Sequence, residues 1–340
     1  MKRFFKLLTL LIFLTLLGCE KTSEQTDVQE VLLQGKTMGT TYTIKVFVPK
    51  QRVQELSLFS DVQKLLDDVN QSMSTYIPDS EINQFNRLAK DTVFPMSDDF
   101  RRVTAESIRL GQSTGTLDVT MGPLIDLWGF GTDNRPENIP SEETIVSIQQ
   151  NIGVDKLKLD EYGLTKLIDG LEISYSSTAK GFGIDKVAEY LDSLSLTNYM
   201  VEIGGEIRTS GSKPGSKPWV LAIEQPDSTP TERKMHRAIL VNDVAMATSG
   251  DYRIFYEIGG VHYSHLIHPK TGKPIVQDLI SVTVLHPSAM TADGLATALN
   301  VMGTEAAKQY AKEHNIAVYL MSKTEAGIVT YASEAFKPYL

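Results

Sequence analysis

The sequence contains a single cysteine, Cys19, among its 340 residues. Without a second thiol the chain forms no intrachain disulfide, and it has no cysteine nucleophile beyond that position. It also lacks an excess of positive charge. The formal net charge of −9 disfavours nucleic acid as a partner, because phosphate backbones select basic surfaces.

The N-terminal apolar stretch is too short to cross a membrane. Residues 7–17 form a run of eleven residues, and at about 1.5 Å per residue it cannot span a hydrocarbon core of about 30 Å. Basic residues precede the run and Gly18-Cys19 ends it, a pattern typical of a bacterial lipoprotein signal. We therefore predict a signal peptide over residues 1–18 and lipidation of Cys19. The chain would be an exported, periplasm-facing lipoprotein, anchored to the inner or outer membrane by its acyl chains. The alternative is a short buried helix with an incidental cysteine.

The rest of the chain divides into a tether and one folded domain. Residues 19–30 are polar and predict a flexible tether, which leaves residues 31–340 for the domain. From Thr40 the chain alternates β-formers, at Tyr42, Ile44, Val46 and Val48, which predicts a strand that ends at Pro49.

Hydrophobic periodicity predicts further elements along the domain. Helices are expected at residues 62–73, 100–111, 292–302 and 305–314 and from Gly181; strands at 280–285 and 316–321; a hairpin at 252–267; and loops around one short strand at 211–235. Hairpins mixed with helices, without regular βαβ alternation, predict an α+β or mixed α/β fold.

A carboxylate and a hydroxyl lie four residues apart at Asp293 and Thr297. On a helix both side chains would share one face, and such oxygen ligands suit Mg²⁺ or Ca²⁺ better than zinc. The alternative is a helix start capped by Thr291, where the helix dipole favours Asp293. The segment alone leaves both interpretations open.

A lysine and two glycines, Lys180, Gly181 and Gly183, lie around a predicted helix start in the segment of residues 176–183, which also contains Ser177. Free backbone N–H groups and a lysine at such a position can cradle a phosphate. The segment is not a Walker sequence, however, and glycine-flanked lysines before helices are common.

His262, His265 and His268 have the spacing H-x-x-H-x-x-H. In one continuous strand His265 would face away from the other two, which disfavours a three-histidine zinc site. His265 alone could act as a general base, because an unperturbed pKa of about 6.5 suits proton transfer near neutrality. The alternative is a sheet histidine with a local hydrogen bond.

Taken in order, these and neighbouring segments resemble the ApbE family of FAD:protein FMN transferases. The resemblance covers roughly residues 35–325. It rests on eight blocks: Met38-Gly39-Thr40-Thr41-Tyr42, Ser74-Thr75-Tyr76, Leu117-Asp118-Val119-Thr120, Ala179-Lys180-Gly181, Glu202-Ile203-Gly204-Gly205, Thr248-Ser249-Gly250, His265-Leu266-Ile267 and Ala292-Asp293-Gly294-Leu295-Ala296-Thr297.

The resemblance implies a T-fold-like domain with a largely antiparallel sheet, hairpins and packed helices. It implies transfer of the FMN moiety of FAD to a threonine of an acceptor protein, with Mg²⁺ at the pyrophosphate. Asp293 and Thr297 would bind the metal with the backbone carbonyl of Ser177, and His265 and Asp293 would serve catalysis. The flavin nucleotide would contact Met38, Tyr76, Thr116, Leu117, Asp118, Ser174, Lys180 and Ile267.

Two positions depart from the family pattern. Ser174 stands where members often carry an acidic residue, and His268 where they commonly carry aspartate. The family's usual acceptors are flavin-carrying subunits of membrane redox complexes, which are the expected partners. Two other functions would use the same nucleotide: a Mg²⁺-dependent FAD pyrophosphatase, and a lipoprotein that carries FAD without turnover.

Overall fold

A computed structural model describes residues 27–131, 136, 138–226, 234–250 and 254–340. Cys19 and the predicted signal peptide lie outside the described residues, as do most of the tether and residues 252–253 of the predicted hairpin. The helices of the described part are α1 Leu58–Met73, α2 Glu81–Asn86, α3 Asp98–Thr114, α4 Gly122–Leu127, α5 Glu142–Gln149, α6 Ala179–Ser193, α7 Ala289–Met302 and α8 Thr304–Glu313.

The central element is an eight-stranded sheet in which every pair of neighbouring strands is antiparallel. This confirms the predicted fold class. In spatial order the strands are β1 Val28–Thr37, β2 Thr40–Pro49, β5 Tyr199–Ile203, β6 Glu206–Ser210, β9 Ala245–Gly250, β14 Leu279–His286, β15 Ala317–Thr324 and β16 Gly327–Ala332.

Four two-stranded ribbons complete the strand inventory of the described residues. They pair β3 Leu157–Leu159 with β4 Leu164–Lys166, β7 Trp219–Glu224 with β8 Met235–Val241, β10 Phe255–Ile258 with β11 Val261–Ser264, and β12 Ile267–His268 with β13 Lys273–Pro274.

Helices cover one face of the sheet and the β7–β8 ribbon covers part of the other. Ile44 and Val46 of β2 are buried against Val187 and Leu191 of α6, as the period of two in the strand requires. On the opposite face, Phe47 packs into the cluster built by the ribbon. Apolar side chains therefore pack on both faces of the sheet, and helix α7 lies over β9 and β14 on the helical side.

Strand β1 begins at Val28, three residues inside the predicted tether, so the boundary at residue 30 was wrong. The strand pairs with β2 along its whole length, with Val28 opposite Pro49. An ion pair of 2.7 Å between Lys50 and Asp27 extends the pairing by one position. Local sequence pattern did not predict the start of β1 because its first residues are mostly exposed and polar.

The predicted hairpin forms, but its second strand ends at Ser264. His265 lies in the following turn and His268 belongs to the separate strand β12. The alternation that relates the three histidines in one strand therefore does not apply.

Helix α7 begins at Ala289, three residues before its predicted start, because the Ser288 side chain caps it by accepting from the Thr291 N–H. In the described part of the chain, no helix combines the length and apolar character that a membrane span requires.

Candidate functional site

A cleft of about 260 Å³ opens between four chain segments: the turn after α3, the start of α6, the turn after β11 and the middle of α7. Nine of the residues singled out from the sequence line it together: Thr116, Leu117, Asp118, Ser174, Ser177, Lys180, His265, Ile267 and Thr297. The structure thus brings together positions that are up to 181 residues apart (116 to 297).

The turn after α3 is fixed at both ends. Gly115 closes the helix with a φ of +66°, in the left-handed region that glycine adopts without strain. The Thr116 hydroxyl then donates a hydrogen bond of 2.8 Å to the Ala298 carbonyl and ties the turn to α7. Asp118 Oδ1 accepts from the Thr120 N–H at 2.9 Å and its hydroxyl at 2.6 Å. Burial raises the pKa of Asp118 above its usual range, although these hydrogen bonds oppose the effect.

Helices α6 and α7 come into close contact at Gly181. A Cβ atom at this position would lie 2.3 Å from the Ala289 carbonyl oxygen and 2.6 Å from the Met290 Cα atom. Only glycine permits this approach, and it brings the Gly181 N–H within 3.0 Å of Asp293 Oδ2. The contact places the metal-ligand candidate of α7 at the N-terminus of α6.

Asp293 forms the floor of the site, below the residues that line the cleft. Its side chain is buried, and Oδ1 lies 3.8 Å from Lys180 Nζ, which is also 3.6 Å from Glu206 Oε1. Burial raises the pKa of Asp293, while the Lys180 ammonium opposes that shift. Burial also disfavours the Lys180 ammonium, but the two carboxylates outweigh it and hold its pKa above the usual value. Lys180 is therefore protonated at neutral pH.

Glu206 is a site residue that sequence analysis missed. It follows the Gly204-Gly205 turn at the start of β6 and is buried beside Lys180. The signal was a charged residue directly after a glycine turn at the end of an apolar strand. Two carboxylates, Glu206 and Asp293, thus flank the Lys180 ammonium at this buried position.

The donor set suits a hard metal ion. Thr297 lies one turn after Asp293 on α7 and faces the cleft, as does Ser177. Carboxylate, hydroxyl and carbonyl oxygens are ligands that Mg²⁺ accepts. Within the described ranges, no group of three or more His, Cys, Asp or Glu side chains is placed to bind a metal. The residues present therefore fit Mg²⁺ through mixed oxygen donors.

His265 lies in the wall of the cleft. Its Nδ1 atom is 3.1 Å from the Ile254 carbonyl, and the ring meets Phe130 edge-on at 6.4 Å. Burial lowers the pKa of His265 to about 4, against the effect of the carbonyl, and the Lys180 ammonium lowers it further. The ring is therefore neutral at pH 7. Since a carbonyl only accepts, the proton of the neutral ring is on Nδ1 and Nε2 keeps a free lone pair.

Phe130 and the β10–β11 ribbon form an aromatic wall. Phe130 stacks on Tyr256 at 5.0 Å, Tyr256 on Tyr263 at 5.6 Å, and Tyr263 on Trp128 at 5.7 Å. Phe130 also lines the cleft. Trp128 and Phe130 therefore belong to one continuous stack with the tyrosines of the hairpin.

Two predicted nucleotide contacts lie outside the cleft. Met38 occupies the β1–β2 turn with a φ of +49°, and its side chain packs close to Gly183 of α6. Tyr76 is 68% exposed and donates a hydrogen bond of 3.0 Å to the Gly131 carbonyl, next to Phe130. Both residues lie beside elements that build the cleft.

Comparison with known proteins gives a consistent family assignment. The model of the ApbE family matches residues 38–320. The FAD:protein FMN transferase of Haemophilus influenzae is 45% identical over 336 residues, which cover 95% of this chain and 94% of that protein. The Vibrio cholerae protein of the same name is 45% identical over 335 residues, 98% of each. The solved structure of the flavin transferase ApbE from Vibrio cholerae, 44% identical, superposes with a TM-score of 0.85 and covers 92% of this chain and 100% of that one.

Proposed function

The chain belongs to the ApbE family, and on that premise we propose that it is an FAD:protein FMN transferase. The family predicted from the sequence is thereby confirmed. The observation that carries the proposed activity is the cleft: Lys180 and His265 line it although they are distant in sequence, and Asp293 lies 3.8 Å from the Lys180 ammonium. The matched region, residues 38–320, contains every one of these residues.

The proposed reaction moves the FMN half of FAD to a threonine hydroxyl of an acceptor protein. The threonine oxygen attacks the FMN-side phosphorus, the bond to the bridging oxygen breaks, and AMP leaves with that oxygen. The hydroxyl proton must be accepted by a base. The expected acceptor is a flavin-carrying subunit of a membrane redox complex, which is an implication of family membership.

Asp293, Thr297 and the Ser177 carbonyl would hold Mg²⁺ at the pyrophosphate. When bound, the ion supplies Lewis-acid stabilisation of the phosphate oxygens. Lys180 adds a fixed positive charge beside them, and its raised pKa keeps it protonated throughout the neutral range. The N–H groups at the start of α6 contribute partial positive charge in the same direction.

His265 is the proposed base. Its Nε2 lone pair is free because Nδ1 bonds to the Ile254 carbonyl. In the unliganded protein the low pKa keeps the ring unprotonated, and the negative pyrophosphate would raise that pKa towards the range in which proton transfer is efficient. Phe130 holds the ring from its edge.

We also propose that the protein is exported and anchored through a lipid on Cys19. The support is the sequence pattern at residues 1–19. The domain begins at Val28, so eight residues (20–27) would separate the lipidated cysteine from the first strand. Incorporation of labelled palmitate into the wild type but not into Cys19→Ser tests this proposal.

To test the activity, the detergent-solubilised protein is incubated with FAD, Mg²⁺ and a candidate acceptor flavoprotein. Flavin fluorescence on the denatured acceptor and AMP are measured together. Acceptor-bound flavin with AMP, both lost on adding EDTA, is the expected result. AMP without bound flavin would indicate the pyrophosphatase, and bound FAD without AMP would indicate the carrier.

Asp293→Ala is expected to abolish turnover with the fold intact, because it removes the only carboxylate among the proposed ligands. The matched control is Glu189→Gln, which removes an exposed carboxylate of α6 that pairs with Arg102. Near-normal turnover by Asp293→Ala would refute the metal assignment.

A further inference from the structure

We infer that Asp185 is a positioning residue that sets how helices α6 and α7 meet beneath the cleft. Asp185 lies in α6, one turn after Gly181, and its side chain is completely buried. None of the chemical roles proposed above uses it, yet a buried carboxylate is costly unless its oxygens are satisfied. Its partners therefore indicate why it is there.

Both carboxylate oxygens of Asp185 bond to the start of α7. Oδ1 accepts from the Ala289 N–H at 2.9 Å, and Oδ2 accepts from the Met290 N–H at 3.0 Å and the Ser288 hydroxyl at 2.7 Å. The N–H groups of Ala289 and Met290 are the first of α7, and such groups have no acceptor within the helix. A negative charge at this end also interacts favourably with the helix dipole.

Arg208 supplies the balancing charge from the sheet. Its Nη1 atom donates to Asp185 Oδ1 at 2.6 Å from strand β6, the strand that also carries Glu206. Burial disfavours the guanidinium, but Asp185 outweighs it and raises the pKa of Arg208 above the usual value. Asp185 thus joins α6, α7 and β6, the three elements that carry Lys180, Asp293 and Glu206.

The two helices cap each other reciprocally. Asp185 of α6 accepts from the N-terminus of α7, while Asp293 of α7 accepts from the Gly181 N–H at the N-terminus of α6. Each aspartate therefore depends on the placement of the other helix. Because Asp293 and Thr297 lie about one and two turns after the capped end of α7, loss of the Asp185 bonds would move both.

An amide cannot replace this carboxylate. All four partners of Asp185 are donors, and an asparagine would direct its NH₂ group at two of them. Asp185→Asn therefore leaves either Ala289 and Arg208 or Met290 and Ser288 facing a donor, with almost no change in volume. Outer partners that orient metal ligands typically change metal affinity by about 10- to 100-fold.

The first experiment titrates Mg²⁺ into FAD plus protein and follows FAD binding by flavin fluorescence anisotropy. We expect Asp185→Asn to raise the half-saturating Mg²⁺ concentration about 10- to 100-fold, an expectation that rests on the proposed function. The control Ser333→Ala removes a buried hydroxyl that bonds Val318 and Ile316 away from the cleft. It should lower Tm without moving the Mg²⁺ midpoint.

A second readout does not depend on ligands. Amide hydrogen exchange at Ala289 and Met290 should accelerate in Asp185→Asn and remain slow in Ser333→Ala. If Asp185→Asn does not fold, Ser288→Ala replaces it, since it removes one donor to the carboxylate together with the helix cap. That variant should raise the Mg²⁺ midpoint by less than about tenfold, below the range of about 10- to 100-fold expected for loss of a whole outer partner.

The outcomes separate this inference from the proposed function. A wild-type protein that binds FAD with Mg²⁺ but transfers no flavin would refute the transferase, while the Mg²⁺ midpoints would still test Asp185. Midpoints within twofold of wild type for the folded Asp185 or Ser288 variant, with unchanged exchange at α7, would overturn the positioning role.

Discussion

The close packing at Gly181 gives the sharpest prediction. A methyl group at this position would meet the Ala289 carbonyl oxygen at 2.3 Å, where an ordinary contact requires about 3.4 Å. The obstacle is backbone, so no side chain can rotate away, and helices α6 and α7 must separate by about 1 Å. The Gly181 N–H to Asp293 Oδ2 distance would then grow from 3.0 Å to about 4 Å, beyond hydrogen-bonding range.

Two magnitudes follow for Gly181→Ala. Overpacking costs about 1–3 kcal/mol, partly offset by the 0.5–1 kcal/mol that alanine contributes in a helix, so we expect a net loss of about 1–2 kcal/mol. For a domain of this size that corresponds to a Tm fall of roughly 2–6 °C. A misplacement of about 1 Å in a catalytic site can cost on the order of 100-fold in rate, and we expect turnover to fall by that factor.

Gly183 serves as the control in the same flavin-transfer and thermal-unfolding assays. There the added carbon would meet the flexible end of the Met38 side chain at 2.7 Å, and that side chain can move aside. Gly183→Ala should therefore have a smaller effect on Tm and turnover than Gly181→Ala. If Gly181→Ala kept wild-type Tm and more than a third of wild-type turnover, the argument from helix spacing would be refuted.

Two further predictions concern titratable groups in the cleft. Burial lowers the pKa of His265 to about 4, whereas its pKa in the unfolded chain is about 6.5. The neutral ring therefore contributes stability that is fully present above pH 6.5 and is lost as the pH falls towards 4. In urea unfolding, His265→Gln should lose less stability than wild type between pH 7 and pH 4.5, by on the order of 1 kcal/mol. An equal loss in both proteins would contradict a half-buried ring that is neutral at pH 7. Burial raises the pKa of Asp118, so the ionised carboxylate reduces stability once the pH exceeds that value. Asp118→Asn keeps an oxygen that can accept from Thr120. The variant should raise Tm at pH 7 but not at pH 3.5, and it should weaken FAD binding. A lower Tm at pH 7 would show that the Asp118 charge is stabilising.

Much of the fold follows from local sequence pattern. Strand β2 has the predicted bounds because Tyr42, Ile44, Val46 and Val48 alternate strictly and Pro49 ends the run. Strand β16 was missed because its residues are mostly exposed at the sheet edge and show no alternation of burial. Edge strands take their register from a neighbour, and local periodicity does not contain that information.

The candidate site was only partly accessible from sequence. Resemblance indicated Lys180, His265 and Asp293, and the structure places the first two in one cleft with Asp293 3.8 Å from Lys180. Asp185 was passed over, although it stands beside the apolar face that begins at Ile184. An acid among buried residues signals a buried partner, but the identity of that partner depends on tertiary contacts more than 100 residues away.

The hydrogen bonds that close the cleft have a consequence for how the chain folds. Thr116 bonds to Ala298 across 182 residues, and Trp128 bonds to Gly272 across 144. Closing such long loops costs chain entropy before the contacts stabilise them, so we expect the β1–β2 hairpin to form early and the cleft to form late. The chain would therefore be unable to bind its nucleotide until almost its entire length had been synthesised, and premature loading would be excluded by topology alone.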